Sequence, residues 1–226
     1  MCAHLTAHAH KNAERVKDYH SIVGTLLFPP LPGTASRTPT TMFATSHLFF
    51  FGDLNFRLAL PSSHALAAPD QLANLAEALS HDDGRASLKE YDQLVNERDV
   101  KGTIFHGFRE GEFWRFKCSY KYRLGEVDHY ECVHAFQCLG TNSSSPLDSS
   151  KRTPSWTYRI MYSTHSDSPD APQDSGIANV LYTAIPSYTT SDHVRHPSSS
   201  SPPLSLNFHP SFCRNLLCLY YSSRLP

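Results

Sequence analysis

Phe51-Gly52-Asp53-Leu54-Asn55-Phe56-Arg57 is the stretch on which the fold turns. It closes an aromatic run, residues 47–51, whose length and aromatic content predict a buried strand ended by Gly52. Side chains two apart on an extended segment share a face, so Asp53 and Asn55 are expected to point the same way at the strand end. A carboxylate and an amide placed so can hold and activate a water. The same residues can also form a polar turn that bonds only to local backbone, and the fragment by itself leaves both readings open.

Outward from this stretch the chain alternates helix and strand signals. Residues 9–28 predict a helix, with Val16, Tyr19, Val23 and Leu26 on one face, Ile22 beside them, and Pro29-Pro30 as its stop. Residues 29–46 read as a long loop. Leu72, Leu75, Ala76 and Leu79 recur at helical spacing over 70–80, with Asp70 as candidate N-cap. Asp82-Asp83-Gly84 is expected to break the pattern before a second helix over about 86–98. Residues 103–122 suggest irregular strands, 139–150 a Ser/Asn-rich loop, and 158–163 and 178–185 two further strands. After His196 the sequence is Ser/Pro-rich and then loses all period, so residues 197–226 are expected to be a disordered tail following a domain over 1–196. Helices and strands together predict an α/β or α+β class.

Composition narrows the function classes. Twenty Lys and Arg against 21 Asp and Glu give a formal charge of −1, which excludes a strongly basic nucleic-acid coat. An anion site must therefore be local. No apolar run is long enough to span a bilayer, and the first residues lack the layout of a signal peptide. Six cysteines with no C-x-x-C pair read as reduced thiols of an intracellular protein.

Two other clusters carry possible chemistry. Ser191-Asp192-His193 sets a metal-type carboxylate beside a proton-handling imidazole, against the plain reading of a solvated loop. Tyr120-Lys121-Tyr122, with Lys151-Arg152, can clamp a phosphate, although Lys-Arg pairs on loops are usually only solvated. Cys2, His4, His8 and His10 together can bind a stray transition metal.

Taken in order, these pieces resemble the inositol polyphosphate 5-phosphatases of the DNase I-like phosphatase and nuclease superfamily. Phe51–Arg57 looks like the family's GDLNFR-type motif, and Lys151–Tyr162 like its P-S-W-x-D-R-I-L signature. Tyr91-Asp92-Gln93-Leu94, Gly107-Phe108-Arg109-Glu110-Gly111 and Ser119-Tyr120-Lys121-Tyr122 fall where the family has similar runs. His4-Leu5-Thr6-Ala7-His8 resembles its HLAAH segment, and the run ending at His193 its closing SDH. The similarity covers about residues 3–194.

The resemblance implies roles. Asp53 would orient or deprotonate the attacking water, with Asn55 helping to fix water and phosphate. His193 and His4 would contact the scissile phosphate from two sides, and Asp192 would support a Mg²⁺ site. Tyr120, Lys121 and Arg152 would hold the neighbouring 4-phosphate. The implied fold is part of a four-layer α/β/β/α sandwich. The family's preceding half, with a Trp-Asn motif and a metal-binding Glu, has no counterpart here, so the expectation is a sandwich lacking its N-terminal half. Tyr158 stands where the family has an Asp that orients the imidazole matching His193, and Tyr supplies no negative charge at neutral pH.

The implied activity is Mg²⁺-dependent removal of the 5-phosphate from phosphatidylinositol 4,5-bisphosphate or related inositol phosphates. It would take place in the cytoplasm, meeting membranes only through the substrate, with no nucleic-acid partner. The alternative is a catalytically silent fragment that binds phosphoinositide through Tyr120, Lys121 and Arg152. A nuclease of the same superfamily is disfavoured by Tyr120-Lys121 and Pro154–Trp156.

Overall fold

A computed structural model of the chain describes residues 1–30, 32–33, 38–122, 130, 153–164, 177–184 and 218–223. Its organising element is strand β4, His47–Asp53. Leu48 and Phe50 are buried on one face, while Phe49 and Phe51 lie half-buried on the other, as period-two alternation requires. Strand β1, Cys2–His4, runs parallel along one side of β4, and β5, Tyr158–Thr164, runs antiparallel along the other. The resulting sheet has the order β1-β4-β5.

Helix α1, Asn12–Thr25, covers the Leu48/Phe50 face. Tyr19 is its buried aromatic, with ring centroids 5.8 Å from Phe50 and 4.4 Å from Phe105. The Phe105 ring stands edge-on to Phe50 at 5.1 Å, and Leu5, Leu54, Phe56, Leu94 and Met161 complete this core. The helix is shorter than its periodicity predicted. Leu27–Phe28 turns extended (β2) and pairs antiparallel with Thr40–Thr41 (β3), so the segment read as all loop contains a strand.

A second core gathers Leu75, Ala76, Leu79, Leu88, Phe113, Phe116, Trp156 and Ile160. Its helices depart from expectation in two places. A 3₁₀ turn over Pro69–Gln71 precedes α2, Leu72–Ser80, and Asp70 makes no capping bond. Asp82-Asp83-Gly84 opens α3, Asp82–Leu88, instead of interrupting the helices: the two carboxylates sit at its N-terminus, where the helix dipole favours them. At Gly84 a Cβ would lie 2.0 Å from the Ala78 carbonyl oxygen, so glycine is what lets the two helices meet this closely. Buried Arg85 closes the corner by donating to the Leu79 and Ser80 carbonyls at 3.0 and 2.8 Å.

The expected helix over 86–98 is likewise broken. A 3₁₀ turn, Lys89–Tyr91, stops at Asp92. The Asp92 carboxylate then accepts the Leu94 and Val95 amides at 3.0 and 3.2 Å and restarts the chain as α4, Gln93–Val95, which runs into a π-turn over Asn96–Val100. Buried Glu97 anchors that turn, accepting from Asn12, Lys101 and Thr103 at 2.7, 2.7 and 2.6 Å. Burial acts to raise its pKa, but these donors outweigh burial and hold it below the usual range. A depressed carboxylate stabilises the fold above the unfolded pKa of about 4.3, and that contribution is lost as pH falls through the lower folded value. In urea titrations Glu97→Gln should therefore be less stable than wild type at pH 7, with the gap closing below about pH 4.

The backbones of β6, Ile177–Thr183, and β7, Cys218–Ser223, form a separate antiparallel pair. Residues 218–223 are thus extended and paired, which the aperiodic sequence did not foresee; residues 197–217 and 224–226 lie outside the described residues. Among the described residues no helix is long and apolar enough to cross a membrane.

Candidate functional site

Strand register brings three of the sequence-predicted residues into one row. His4 is the partner of Asp53 across the β1–β4 ladder, and Tyr158 is its partner across β4–β5. Directly paired residues share a sheet face, so the three side chains stand together where the parallel pair ends. Carboxyl ends of parallel strands are where open α/β sheets usually place ligands. Asp53 is 6% exposed, and its Oδ2 lies 3.8 Å from Nε2 of the exposed His4, beyond a direct hydrogen bond.

Gly52 makes this juxtaposition achievable. Its φ is +134°, and a Cβ there would lie 2.1 Å from the Ala3 carbonyl oxygen in β1. Gly52→Ala should cost about 1–3 kcal/mol from backbone strain alone and more from the clash between strands, read as a lowered urea midpoint.

Asn55 does not continue the strand. Its φ is +56°, in the left-handed region that Asn tolerates better than most residues, so the two-apart argument for a face shared with Asp53 does not apply. Its backbone N–H donates to Asp53 Oδ1 at 3.1 Å. Its amide Nδ2 donates to the Leu5 carbonyl at 3.0 Å, and its Oδ1 accepts from Arg57 Nη2. The loops that leave β1 and β4 are joined again by Gln93, whose Oε1 accepts from Arg15 at 2.6 Å and from the Arg57 backbone at 3.0 Å. Arg15, fully buried, also donates to the Thr6 and His8 carbonyls at 3.0 and 2.7 Å. Burial and then the nearby Arg57 charge lower the Arg15 pKa to about 10, so it stays charged at neutral pH.

Tyr120 is buried and exchanges both backbone hydrogen bonds with Ser155, at 3.1 and 2.7 Å. Lys121 follows it, half-buried. The second signature is wired to this segment by its own side chains. Ser155 Oγ accepts the Leu58 amide at 3.0 Å, Trp156 Nε1 donates to the Phe116 carbonyl at 3.0 Å, and Ser119 Oγ accepts the Thr157 and Tyr158 amides at 2.9 and 3.1 Å. Arg152, Asp192 and His193 lie outside the described residues.

No group of three or more His, Cys, Asp or Glu side chains that could hold a metal ion occurs among the described residues. Cys2, His4, His8 and His10 accordingly make no such group; the His8 and His10 rings stack at 5.9 Å. The row contributes one carboxylate, and the Asn55 amide is already bonded at both ends, so the described residues do not by themselves fit a hard divalent cation.

A model described as Endonuclease/Exonuclease/phosphatase family 2 matches residues 1–195. The chain belongs to this family. Human phosphatidylinositol polyphosphate 5-phosphatase type IV is 33% identical over 199 residues, covering 85% of this chain and 26% of the relative. Rat synaptojanin-1 is 29% identical over 164 residues, covering 72% of this chain and 8% of the relative. The inositol polyphosphate 5-phosphatase domain of a synaptojanin, solved with inositol (1,4)-bisphosphate and a calcium ion, matches with a TM-score of 0.54 at 26% identity, over 85% of this chain and 43% of that one. This family member is thus homologous to inositol polyphosphate 5-phosphatases over most of its length, and it spans about a quarter of the length of the human relative. The mixed helix-and-sheet, DNase I-like fold class read from the sequence is borne out.

Arg57, Arg15, Gln93, Ser119, Glu110 and Arg159 were given no role by sequence reasoning. All but Arg15 fall inside runs that resemble the family, which is the one signal that marked them.

Proposed function

We propose that the protein removes the 5-phosphate from phosphatidylinositol 4,5-bisphosphate or a related inositol phosphate. The reading is carried by its likeness, over 85% of the chain, to a 5-phosphatase domain holding inositol (1,4)-bisphosphate. That ligand has its 5-position unphosphorylated, as the product of such a reaction would.

The reaction is an in-line attack of water on phosphorus that breaks the bond to the ring oxygen, which leaves as the 5-hydroxyl after taking a proton from solvent. Asp53, the buried member of the row at the strand ends, is proposed to orient the water and take its proton. His4 beside it, and His193, contact the scissile phosphate and offset its charge. Asn55, held by Leu5 and Arg57, lines the turn under the attack side. Tyr120 and Lys121, with Arg152, hold the 4-phosphate, Lys121 as a point charge. Tyr158, paired with Asp53 across the strands, stands where the resemblance gives the Asp that orients His193, so that orienting carboxylate is lacking here. Mg²⁺ remains the proposed cation, with Asp192 as one ligand. The setting proposed is cytoplasmic, peripheral at membranes through the lipid substrate.

The test is phosphate release from soluble inositol (1,4,5)-trisphosphate and from vesicles containing phosphatidylinositol 4,5-bisphosphate, each with and without Mg²⁺. Mg²⁺-dependent release is expected. Binding of either substrate with no release would replace the enzyme reading with that of a phosphoinositide-binding module.

A further inference from the structure

We propose that Arg57 is a positioning residue that couples Asn55, on the attack side of the site, to Tyr120, on the side that holds the neighbouring phosphate. This rests on the 5-phosphatase reading for its functional meaning, but its geometry stands apart from it. Arg57 is 5% exposed, so its charge is almost wholly removed from water. Its Nε donates to the Asn55 backbone carbonyl at 3.1 Å, and its Nη2 donates to Asn55 Oδ1. The central carbon of the same guanidinium lies over the Tyr120 ring, 4.3 Å from its centroid.

Each contact fixes something different. An asparagine amide has an acceptor end and a donor end of nearly equal shape. The Arg57 cation at one end and the acceptor-only Leu5 carbonyl at the other together fix Oδ1 toward Arg57 and Nδ2 toward Leu5, at 3.0 Å. The bond to the Asn55 carbonyl holds the left-handed backbone that aims this side chain. Tyr120 is pinned from behind by its paired backbone bonds to Ser155, so its ring has Arg57 against one face. A rigid planar group thus spans the two halves of the site. Lysine cannot replace it: an ammonium carries no fork and no flat face for stacking.

The test uses Arg57→Lys, Tyr120→Leu and, as control, Arg85→Lys. Arg85 is equally buried and holds backbone carbonyls, but in the other core. The readouts are NMR signals of the Asn55 side-chain amide and the Tyr120 ring. Arg57→Lys should shift both and speed exchange of the Asn55 amide protons by about tenfold or more. Tyr120→Leu, which leaves Arg57 in place, should also speed Asn55 exchange, and it decides the matter if Arg57→Lys does not fold. Arg85→Lys should lower stability and leave both signals in place.

Unchanged Asn55 exchange in Arg57→Lys or in Tyr120→Leu, or equal changes in Arg85→Lys, would overturn the proposal. Where wild type releases phosphate, Arg57→Lys should also lower kcat about tenfold and raise KM several-fold, because both halves of the site loosen. Should wild type release none, the 5-phosphatase reading falls, while the Asn55 and Tyr120 signals still decide the role of Arg57.

Discussion

Replacing Arg159 with methionine should destabilise the protein by about 3–5 kcal/mol, the usual cost of stranding buried charges. Arg159 is fully buried; it donates to both oxygens of Glu110 at 2.5 and 2.6 Å and to Asp92 Oδ1 at 2.8 Å. Its guanidinium also lies 3.6 Å from the Phe113 ring centroid. Burial acts to lower its pKa, but the Asp92 and Glu110 charges outweigh burial and raise it. Burial pushes Asp92 up, with Arg159 pulling it back. In Arg159→Met only the cap amides still oppose that burial, so the folded Asp92 holds its proton more tightly than the unfolded one. A raised folded pKa favours folding at low pH. Urea midpoints should therefore show the largest deficit at pH 7 and a smaller one as pH falls toward 5. A loss under about 1 kcal/mol at pH 7 would mean that the cluster is solvated and contributes little.

Asp53→Asn carries the largest expected effect on activity. If Asp53 takes the proton of the attacking water, kcat should fall by about 10²–10⁴, the span typical of a lost general base. KM should change little, since the phosphate clamp is elsewhere. The fold should survive, because the Asn side-chain oxygen can still accept the Asn55 amide that Asp53 Oδ1 accepts at 3.1 Å. Near-wild-type kcat in a folded Asp53→Asn protein would remove Asp53 from the chemistry.

Aromatic alternation made β4 legible in the sequence, and three-and-four spacing did the same for α1 and α2, because each buries one face against a single neighbour. Helix starts were not legible where a polar residue has two uses. Asp92 looked like the middle of a helix by spacing, yet it is the cap of the next one and half of a buried ion cluster. The same carboxylate oxygen also accepts from Arg159, 67 residues away, and no local pattern carries that pairing. The row of His4, Asp53 and Tyr158 was likewise hidden, since register between strands 49 and 105 residues apart is set by pairing and not by spacing. Asn55 was misplaced because the strand ends at Asp53 and the chain turns left-handed at Asn55, where Arg57 holds its carbonyl and its side-chain oxygen.

The central claim is best tested by following inositol (1,4,5)-trisphosphate with the purified chain and Mg²⁺ by ³¹P NMR. The account predicts that the 5-phosphate signal alone is lost, with inositol (1,4)-bisphosphate and inorganic phosphate appearing together and Asp53→Asn abolishing the change. Loss of the 1- or 4-phosphate signal, or an unchanged spectrum from folded wild-type protein, would contradict it.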